Sequence, residues 1–260
     1  MKVVLLAGGL GTRICEESQY KPKPMLDIGG MPIIWHIMKS YSHFGYNDFI
    51  ICGGYKQEYI KQWFSNYFLR KSDVTFDFTE GDETVVIHKS NVEPWRVTIV
   101  DTGLNTMTGG RIKRVAPYIN GQTFMMTYGD AVCDVDIQKL VEFHKANGKH
   151  ATLTAVKLSE SKGVLDIDEA NSVKSFREKS RQQDAYINAG FMVLEPDVFK
   201  FIEGDKTNFE AEVLPQLAAL GELASYKHEG FWQCMDTLRE KNILEKLLNE
   251  GKAPWVFEKG

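Results

Sequence analysis

The apolar positions of this chain change period several times, and each change marks an element. Val3-Val4-Leu5-Leu6 is a continuous apolar run after Lys2 that stops at Ala7-Gly8-Gly9, as expected of a strand buried in a parallel sheet. A loop rich in Gly, Lys and Pro runs to about Gly30. Pro32, suited to a helix's first turn, then opens a stretch in which Ile33, Ile34, Ile37, Met38 and Tyr41 recur at helical spacing. Phe49–Cys52 reads as a second strand ended by Gly53-Gly54, and Gln57–Tyr67 as a second helix. Val74–Phe78 and Thr84–His88 alternate around Glu80-Gly81-Asp82, the pattern of a hairpin, and Val97–Val100 is a further strand. Strand–helix order then returns: Gly109–Val115 helical, Phe124–Thr127 a strand with Gly129-Asp130 at its C-terminal end, and a helix capped by Asp136 with Ile137, Leu140, Val141 and His144 on one face.

Ala151 to Leu194 carries short strands with little helix, and the last third supplies helices over Ala211–Leu220 and Thr237–Asn249 with a strand, Leu223–Lys227, between them. Alternation of this kind followed by a β-rich section predicts an α/β fold: a Rossmann-like, mostly parallel central sheet flanked by helices, with a small β-rich lobe. No internal repeat or low-complexity segment interrupts it.

Composition removes several classes of function. The 260 residues are 43% hydrophobic and 25% charged, ordinary for a globular chain long enough to bury a core without a disulfide or zinc staple. A net charge of -4 argues against a nucleic-acid polymer as partner, since such proteins usually carry a basic face. No apolar run approaches the ~20 residues of a membrane helix. The N-terminal run is interrupted by glycine and followed by charge, so it reads as a strand rather than a leader, and a cytoplasmic protein is expected. Cys15, Cys52, Cys133 and Cys234 are far apart and read as free thiols, and the six histidines show no zinc spacing.

The candidate chemistry starts at Gly8-Gly9-Leu10-Gly11-Thr12-Arg13, directly after the first strand, where an open α/β sheet places its ligands. Glycines let backbone N–H groups converge on phosphate oxygens. The string is neither a Walker loop nor a dinucleotide fingerprint, which would need a third glycine at Ile14. Instead Arg13 sits in the loop, with Lys21-Pro22-Lys23-Pro24 a few residues on. Arginine can bind phosphate in bidentate fashion, lysine acts as a point charge, and the prolines stiffen the chain around it. The alternative is a solvated basic loop after a tight turn.

Together with KPKPM and the GGMPI helix start, LAGG-x-GTR resembles the signature of the sugar-1-phosphate nucleotidyltransferases, in particular their cytidylyl-transferring branch. Supporting strings run along almost the whole chain: WHIMK at 35–39, VEPWRVTIVDTG at 92–103, MTGGRIKRV at 107–115, TYGD at 127–130, LDI at 165–167, FREK at 176–179, NAGF at 188–191 and GFWQCMDT at 230–237. The resemblance implies CTP and glucose 1-phosphate as substrates, CDP-glucose and pyrophosphate as products, and a homo-oligomeric assembly. Another nucleotide or sugar phosphate, such as UTP or dTTP, and a non-catalytic nucleotide-sensing homologue are the alternatives. One domain over 1–260 is expected. Its nucleotide half would be about 1–135, with a β-rich insertion near 70–105, and its sugar-phosphate half about 136–260.

The resemblance also implies residue roles. Leu6, Ala7, Gly8, Gly9, Gly11, Thr12, Arg13, Lys23, Gly110 and Arg111 bind the nucleotide, with Arg13 holding the departing pyrophosphate and Lys23 near the α-phosphate. Asp130 and Asp236 hold Mg2+, a hard cation that takes one or two carboxylates plus phosphate oxygens. Taken alone, Asp130 reads equally as a turn residue and Asp236 as a helix cap. Glu178 binds acceptor sugar hydroxyls, Lys179 the sugar phosphate, and Asn188 lines the sugar pocket. Many relatives follow that Glu-Lys step with Pro, where this chain has Ser180. Arg111 is donor-only and cytosine offers acceptors at O2 and N3, so an Arg111 facing that edge would favour cytosine. A surface helix position is its other reading. Trp232 packs against the sugar or simply in the core or an interface, and Asp134, beside Asp136, is left open. Arg13, Lys23, Asp130 and Lys179 form the expected catalytic set.

Overall fold

The computed structural model describes residues 1–11, 19–79, 81, 84–157, 164–167, 173–177 and 185–257, with 164–167 and 173–177 described by backbone alone. Val3–Leu6 lies inside the central sheet, parallel to Asp48–Gly53 on one side and to Phe124–Tyr128 on the other. Arg96–Asp101 extends the first flank in parallel. On the second flank Met192–Leu194 runs antiparallel to Phe124–Tyr128 and to Ala151–Lys157. The latter also pairs with Tyr186–Asn188, and Leu223–His228 lies parallel to it at the far edge. The sheet is thus largely parallel around its centre, and the strand order reverses between Val3–Leu6 and Phe124–Tyr128, the crevice where such sheets bind ligands.

Period-2 alternation divides the apolar strands between two cores. Val3, Leu5, Phe49, Ile51 and Met125 face the helices Ile33–His43 and Ile137–Asn147, burying Ile33, Ile37, Tyr41 and Leu140. Val4, Leu6, Ile50, Cys52, Phe124 and Met126 face the other side, against Ile112 of the helix Thr108–Arg114 and Leu217 of Leu214–Ala219. A run that reads as uniformly apolar is therefore one strand serving two layers.

Several elements depart from the expected pattern for local reasons. The loop before Pro32 contains a small hairpin, Asp27–Ile28 with Met31–Pro32, turned by Gly29 and Gly30 at φ of 60° and 76°. The helix expected over Gln57–Tyr67 stops at Ser65, because the Asn66 side chain donates back to the Gln62 carbonyl and caps it, and a short helix follows at Tyr67–Arg70. The helix expected over Ala211–Leu220 begins as a wide π turn, Phe209–Val213, and becomes α-helical only at Leu214. Pro215 has no N–H for an α-helical bond back to Ala211. The strand Arg96–Asp101 belongs to the central sheet, so the insertion expected near 70–105 reduces to one ribbon, Ser72–Asp77 with Thr84–Ser90.

Candidate active site

Beyond the C-terminal ends of Val3–Leu6 and Phe124–Tyr128 lies a cleft of about 380 Å³. Of the residues singled out from the sequence, Leu6, Ala7, Gly8, Gly9, Gly11, Lys23, Arg111 and Asp130 all line it. The parallel register explains the meeting: Leu6 pairs with Tyr128, so the loops leaving the two strands start side by side, and the Gly129 amide donates to the Leu6 carbonyl at 3.0 Å. Thr12, Arg13, Glu178 and Lys179 lie outside the described residues.

Lys23 sits in a 3-10 turn, Lys23–Met25, between Pro22 and Pro24, and is 8% exposed. Its ammonium donates to Asp130 Oδ2 and to Asp236 Oδ1, each at 2.5 Å. Burial alone would lower the Lys23 pKa, but the two carboxylates more than offset it and the group lies above an ordinary lysine. The neighbouring Lys21 turns away instead, paired with Asp27 at 2.6 Å and lying over the Tyr59 ring. The basic loop therefore delivers Lys23 to the cleft and ties Lys21 to its own hairpin.

Asp236 reaches this point along a short antiparallel pair, in which Trp232 faces Cys133 and Cys234 faces Ala131. The Met235 amide donates to the Asp130 carbonyl at 2.8 Å. Asp236 is not the cap of the following helix, Leu238–Asn249. That role falls to Thr237, whose hydroxyl accepts from the Glu240 amide in a capping box. Glu240 Oε2 also accepts the Asp236 amide at 2.7 Å, which fixes the backbone while the side chain faces Lys23. Asp134 accepts from His228 Nε2 at 2.8 Å and from the Phe231 amide at 2.7 Å, so it anchors the turn that starts this arm. Asp136 caps Ile137–Asn147 as expected.

Arg111 is 5% exposed, and its position is that of a wall rather than a surface helix residue. Its Nη1 donates to Thr102 Oγ1 at 2.8 Å, to the Gly103 carbonyl at 2.7 Å and to the Gly53 carbonyl at 3.3 Å, and Nη2 to the Leu104 carbonyl at 3.1 Å. A Cβ on Gly8 would stand 2.1 Å from Arg111 Nη1, so this glycine is what lets the loop lie against the guanidinium. Gly110 is not part of the cleft lining. A Cβ there would come within 2.6 Å of the Asp205 backbone, so Gly110 lets the helix lie directly against that segment.

Asn188 ends the strand Tyr186–Asn188, its Nδ2 3.3 Å from the Tyr128 hydroxyl and its Oδ1 accepting from the Gly190 amide at 2.9 Å. The strand breaks at Gly190 and Phe191, whose φ values are 77° and 46°, and resumes at Met192. Trp232 donates Nε1 to the Ala189 carbonyl at 2.9 Å and borders a second cleft of about 300 Å³ with Lys157 and His228. Sequence reasoning missed Thr106, Thr108, Tyr128 and Glu210. Thr108 and Tyr128 lie inside the quoted strings MTGGRIKRV and TYGD, but nothing in the sequence around Glu210 signals its approach to them. His144, read as a helix-face residue, is hydrogen-bonded to Thr152 Oγ1 at 2.9 Å and Glu195 Oε1 at 3.1 Å. Cys52, Cys133 and Cys234 are free thiols pushed up to about 12, chiefly by burial, which leaves them poor nucleophiles.

A match to the family described as nucleotidyl transferase spans residues 2–240. The chain is 56% identical over 256 residues to the glucose-1-phosphate cytidylyltransferase of Salmonella typhi, with 98% of each chain covered. It is 41% identical over 258 residues to the probable glucose-1-phosphate cytidylyltransferase of Bacillus subtilis, covering 98% of this chain and 99% of that one. Among solved structures, HddC from Yersinia pseudotuberculosis superposes with a TM-score of 0.69 at 26% identity, covering 95% of this chain and 99% of its own. With this match over nearly the full length, and with the loop after the first strand, Lys23 and Asp130 meeting in one cleft, the chain belongs to the nucleotidyl transferase family.

Proposed function

We propose that this chain joins CTP and glucose 1-phosphate to give CDP-glucose and pyrophosphate. The observation that carries the reading is the convergence of Lys23, Asp130 and Asp236 at the phosphate-loop end of the cleft. An oxygen of the sugar phosphate attacks the α-phosphorus of CTP in line, the bond from that phosphorus to the bridging oxygen breaks, and pyrophosphate leaves with the electron pair. The attacking oxygen is already anionic, so no general base is required, and the protein's task is positioning and charge neutralisation. The backbone of Gly8, Gly9 and Gly11 cradles the phosphates with Arg13, Lys23 faces the α-phosphate, and Lys179 and Glu178 receive the sugar phosphate and sugar with Asn188. The donor-only Arg111 side of the cleft suits the acceptor edge of cytosine.

Asp130 and Asp236 aim one oxygen each at the same cationic position, a hard-oxygen pair that fits a divalent cation, Mg2+ in this reading. When bound, the cation supplies further neutralisation of the nucleotide phosphates. Two halves, about 1–135 and 136–260, work as one domain around the cleft. The ribbon Ser72–Asp77/Thr84–Ser90 presents Phe76, Val85 and Ile87 on one face, 53%, 51% and 44% exposed. An exposed apolar face of this kind suits a contact with a second copy of the chain, in keeping with the homo-oligomeric assembly that the resemblance implies. A cytoplasmic setting accords with the unpaired Cys52, Cys133 and Cys234.

The test is pyrophosphate release over a matrix of nucleoside triphosphates and sugar 1-phosphates, with and without Mg2+. The largest kcat/KM is expected for CTP with glucose 1-phosphate. Faster turnover with another pair would reassign the substrates, and no turnover with any pair would refute the activity.

A further inference from the structure

The wall of the cleft formed by Thr106–Thr108 is held from the other half of the chain. Met107 donates its amide to the Asp205 carbonyl at 2.8 Å and Gly109 to the Thr207 carbonyl at 3.0 Å, while Arg114 grips the Asp205 carboxylate through Nε and Nη2 at 2.8 and 2.6 Å. Cβ atoms on Gly109 and Gly110 would stand 2.7 and 2.6 Å from the backbone at Thr207 and Asp205. The Gly-Gly pair is thus a bare helix face on which the segment 204–210 lies.

That segment ends at Glu210, in the π turn Phe209–Val213, a widened geometry that recurs at functional positions. Both Glu210 oxygens are engaged. Oε2 accepts from Thr108 Oγ1 at 2.5 Å, and that hydroxyl in turn accepts from the Phe209 amide at 2.9 Å. Oε1 accepts from the Tyr128 hydroxyl at 2.6 Å, and Asn188 Nδ2 approaches the same hydroxyl at 3.3 Å. Thr108 and Tyr128 line the nucleotide cleft, whereas Asn188 belongs to the kinked strand beside the second cleft at Trp232.

We propose that Glu210 is a positioning residue that couples the nucleotide end of the site to the sugar end, by holding Thr108 and Tyr128 on its two carboxylate oxygens. The inference rests on the proposed function, because it takes the cleft at Thr108 and Tyr128 as the seat of the nucleotide and Asn188 as part of the seat of the sugar. Charge-assisted hydrogen bonds of this kind are short and directional, so a shift of Thr108 on nucleotide binding moves Glu210, and through Tyr128 it orders Asn188. Glu210 itself lines neither cleft. A purely structural Glu210 would set stability and leave the two affinities independent.

The experiment is a calorimetric titration of the full chain with glucose 1-phosphate in Mg2+, alone and with saturating α,β-methylene CTP, which binds without reacting. The wild-type protein is expected to bind glucose 1-phosphate about fivefold or more tightly with the analogue present. In Glu210→Gln and in Tyr128→Phe the enhancement is expected to fall below about twofold. Circular dichroism identifies the folded variants. If Glu210→Gln fails to fold, Tyr128→Phe, which removes one hydroxyl, decides alone. Full enhancement in a folded variant, or none in the wild type while both ligands bind, overturns the coupling and leaves the proposed function standing. Failure of the wild type to bind either ligand overturns the function and the coupling with it.

Discussion

The Lys23 ammonium and the Asp236 carboxylate, separated by 213 positions, meet at 2.5 Å, and Asp130 closes on the same ammonium from the other side. The lysine therefore occupies the point at which the two carboxylates would share a divalent cation, and the two cations compete for it. A unit charge ~4 Å away is worth several kcal/mol at the effective dielectric of a protein surface. Lys23→Gln is thus expected to raise the affinity of the nucleotide-free protein for Mg2+ or Mn2+ by roughly tenfold or more while lowering turnover. Titration with Mn2+ followed by electron paramagnetic resonance measures the first effect, and pyrophosphate release the second. Asp130→Asn and Asp236→Asn are each expected to cost ~100-fold or more in kcat. Normal activity in either would remove that residue from the metal site.

Arg111 makes a different kind of contribution. Its guanidinium satisfies Gly53, Thr102, Gly103 and Leu104 oxygens in a buried wall, and a lysine cannot reproduce that fork. Arg111→Lys is expected to cost about 2–4 kcal/mol in denaturant unfolding, since buried acceptors are left without donors. Discrimination of CTP over UTP and dTTP should narrow in the same variant. Unchanged discrimination would refute the base-reading role and leave the structural one.

The acid side of the stability profile should bear the mark of His36. This ring is buried, with Nε2 on the Ile28 carbonyl at 2.9 Å and Nδ1 facing the Trp255 indole N–H at 3.4 Å. Burial lowers its pKa below the ordinary 6.5, although the Ile28 carbonyl and Glu245 oppose the shift. The unfolded chain then takes up the proton first, so His36 costs no stability above about pH 6.5 and destabilises the fold progressively below it. Melting temperature measured from about pH 7 to about pH 5 should fall less steeply in His36→Gln than in the wild type. Equal slopes would show that other groups govern the acid transition.

The helix cap next to Asp236 offers a separate lever. Thr237→Ala removes the capping hydroxyl and is expected to cost ~1 kcal/mol of stability. Glu240→Ala also frees the Asp236 amide, so it should additionally raise the Mg2+ concentration needed for half-maximal rate. A Glu240 variant with lowered stability but an unchanged metal requirement would show that the cap acts on folding alone.

For the ribbon, Phe76→Asp combined with Ile87→Lys places charge on the exposed apolar face. Light scattering should then report a smaller assembly than the wild type. The same mass in both would place the subunit contact elsewhere.

Much of the local structure is legible in the sequence because it is set locally. The Asp136 cap, the hairpin about Gly81 and the strand Val3–Leu6 each follow from a few neighbouring residues. The site is legible only in part. Only family resemblance pairs Asp130 with Asp236, since no spacing rule relates carboxylates so far apart, and each alone reads as a turn or a cap. Lys21 and Lys23 look equivalent in KPKP, yet Asp27 takes the first and the cleft the second. The close packing of Gly110 on Asp205 is hidden from the sequence because Asp205 lies far along the chain. The Glu210 network depends on three such distant meetings, which local patterning does not encode.

The placement of the first strand between Asp48–Gly53 and Phe124–Tyr128 also governs how the molecule comes into being. Gly8, Lys23 and Asp130 become neighbours only after strands more than a hundred positions apart have paired in parallel, and such distant pairings form slowly. The unfolded chain holds no partial version of the cleft, so nucleotide binds the completed fold alone and draws the folding equilibrium toward it. At roughly a hundred times its dissociation constant a ligand of this kind adds about 2.7 kcal/mol. During refolding, nucleotide affinity should be the last property to return, which makes substrate binding a gauge of whether the sheet has closed.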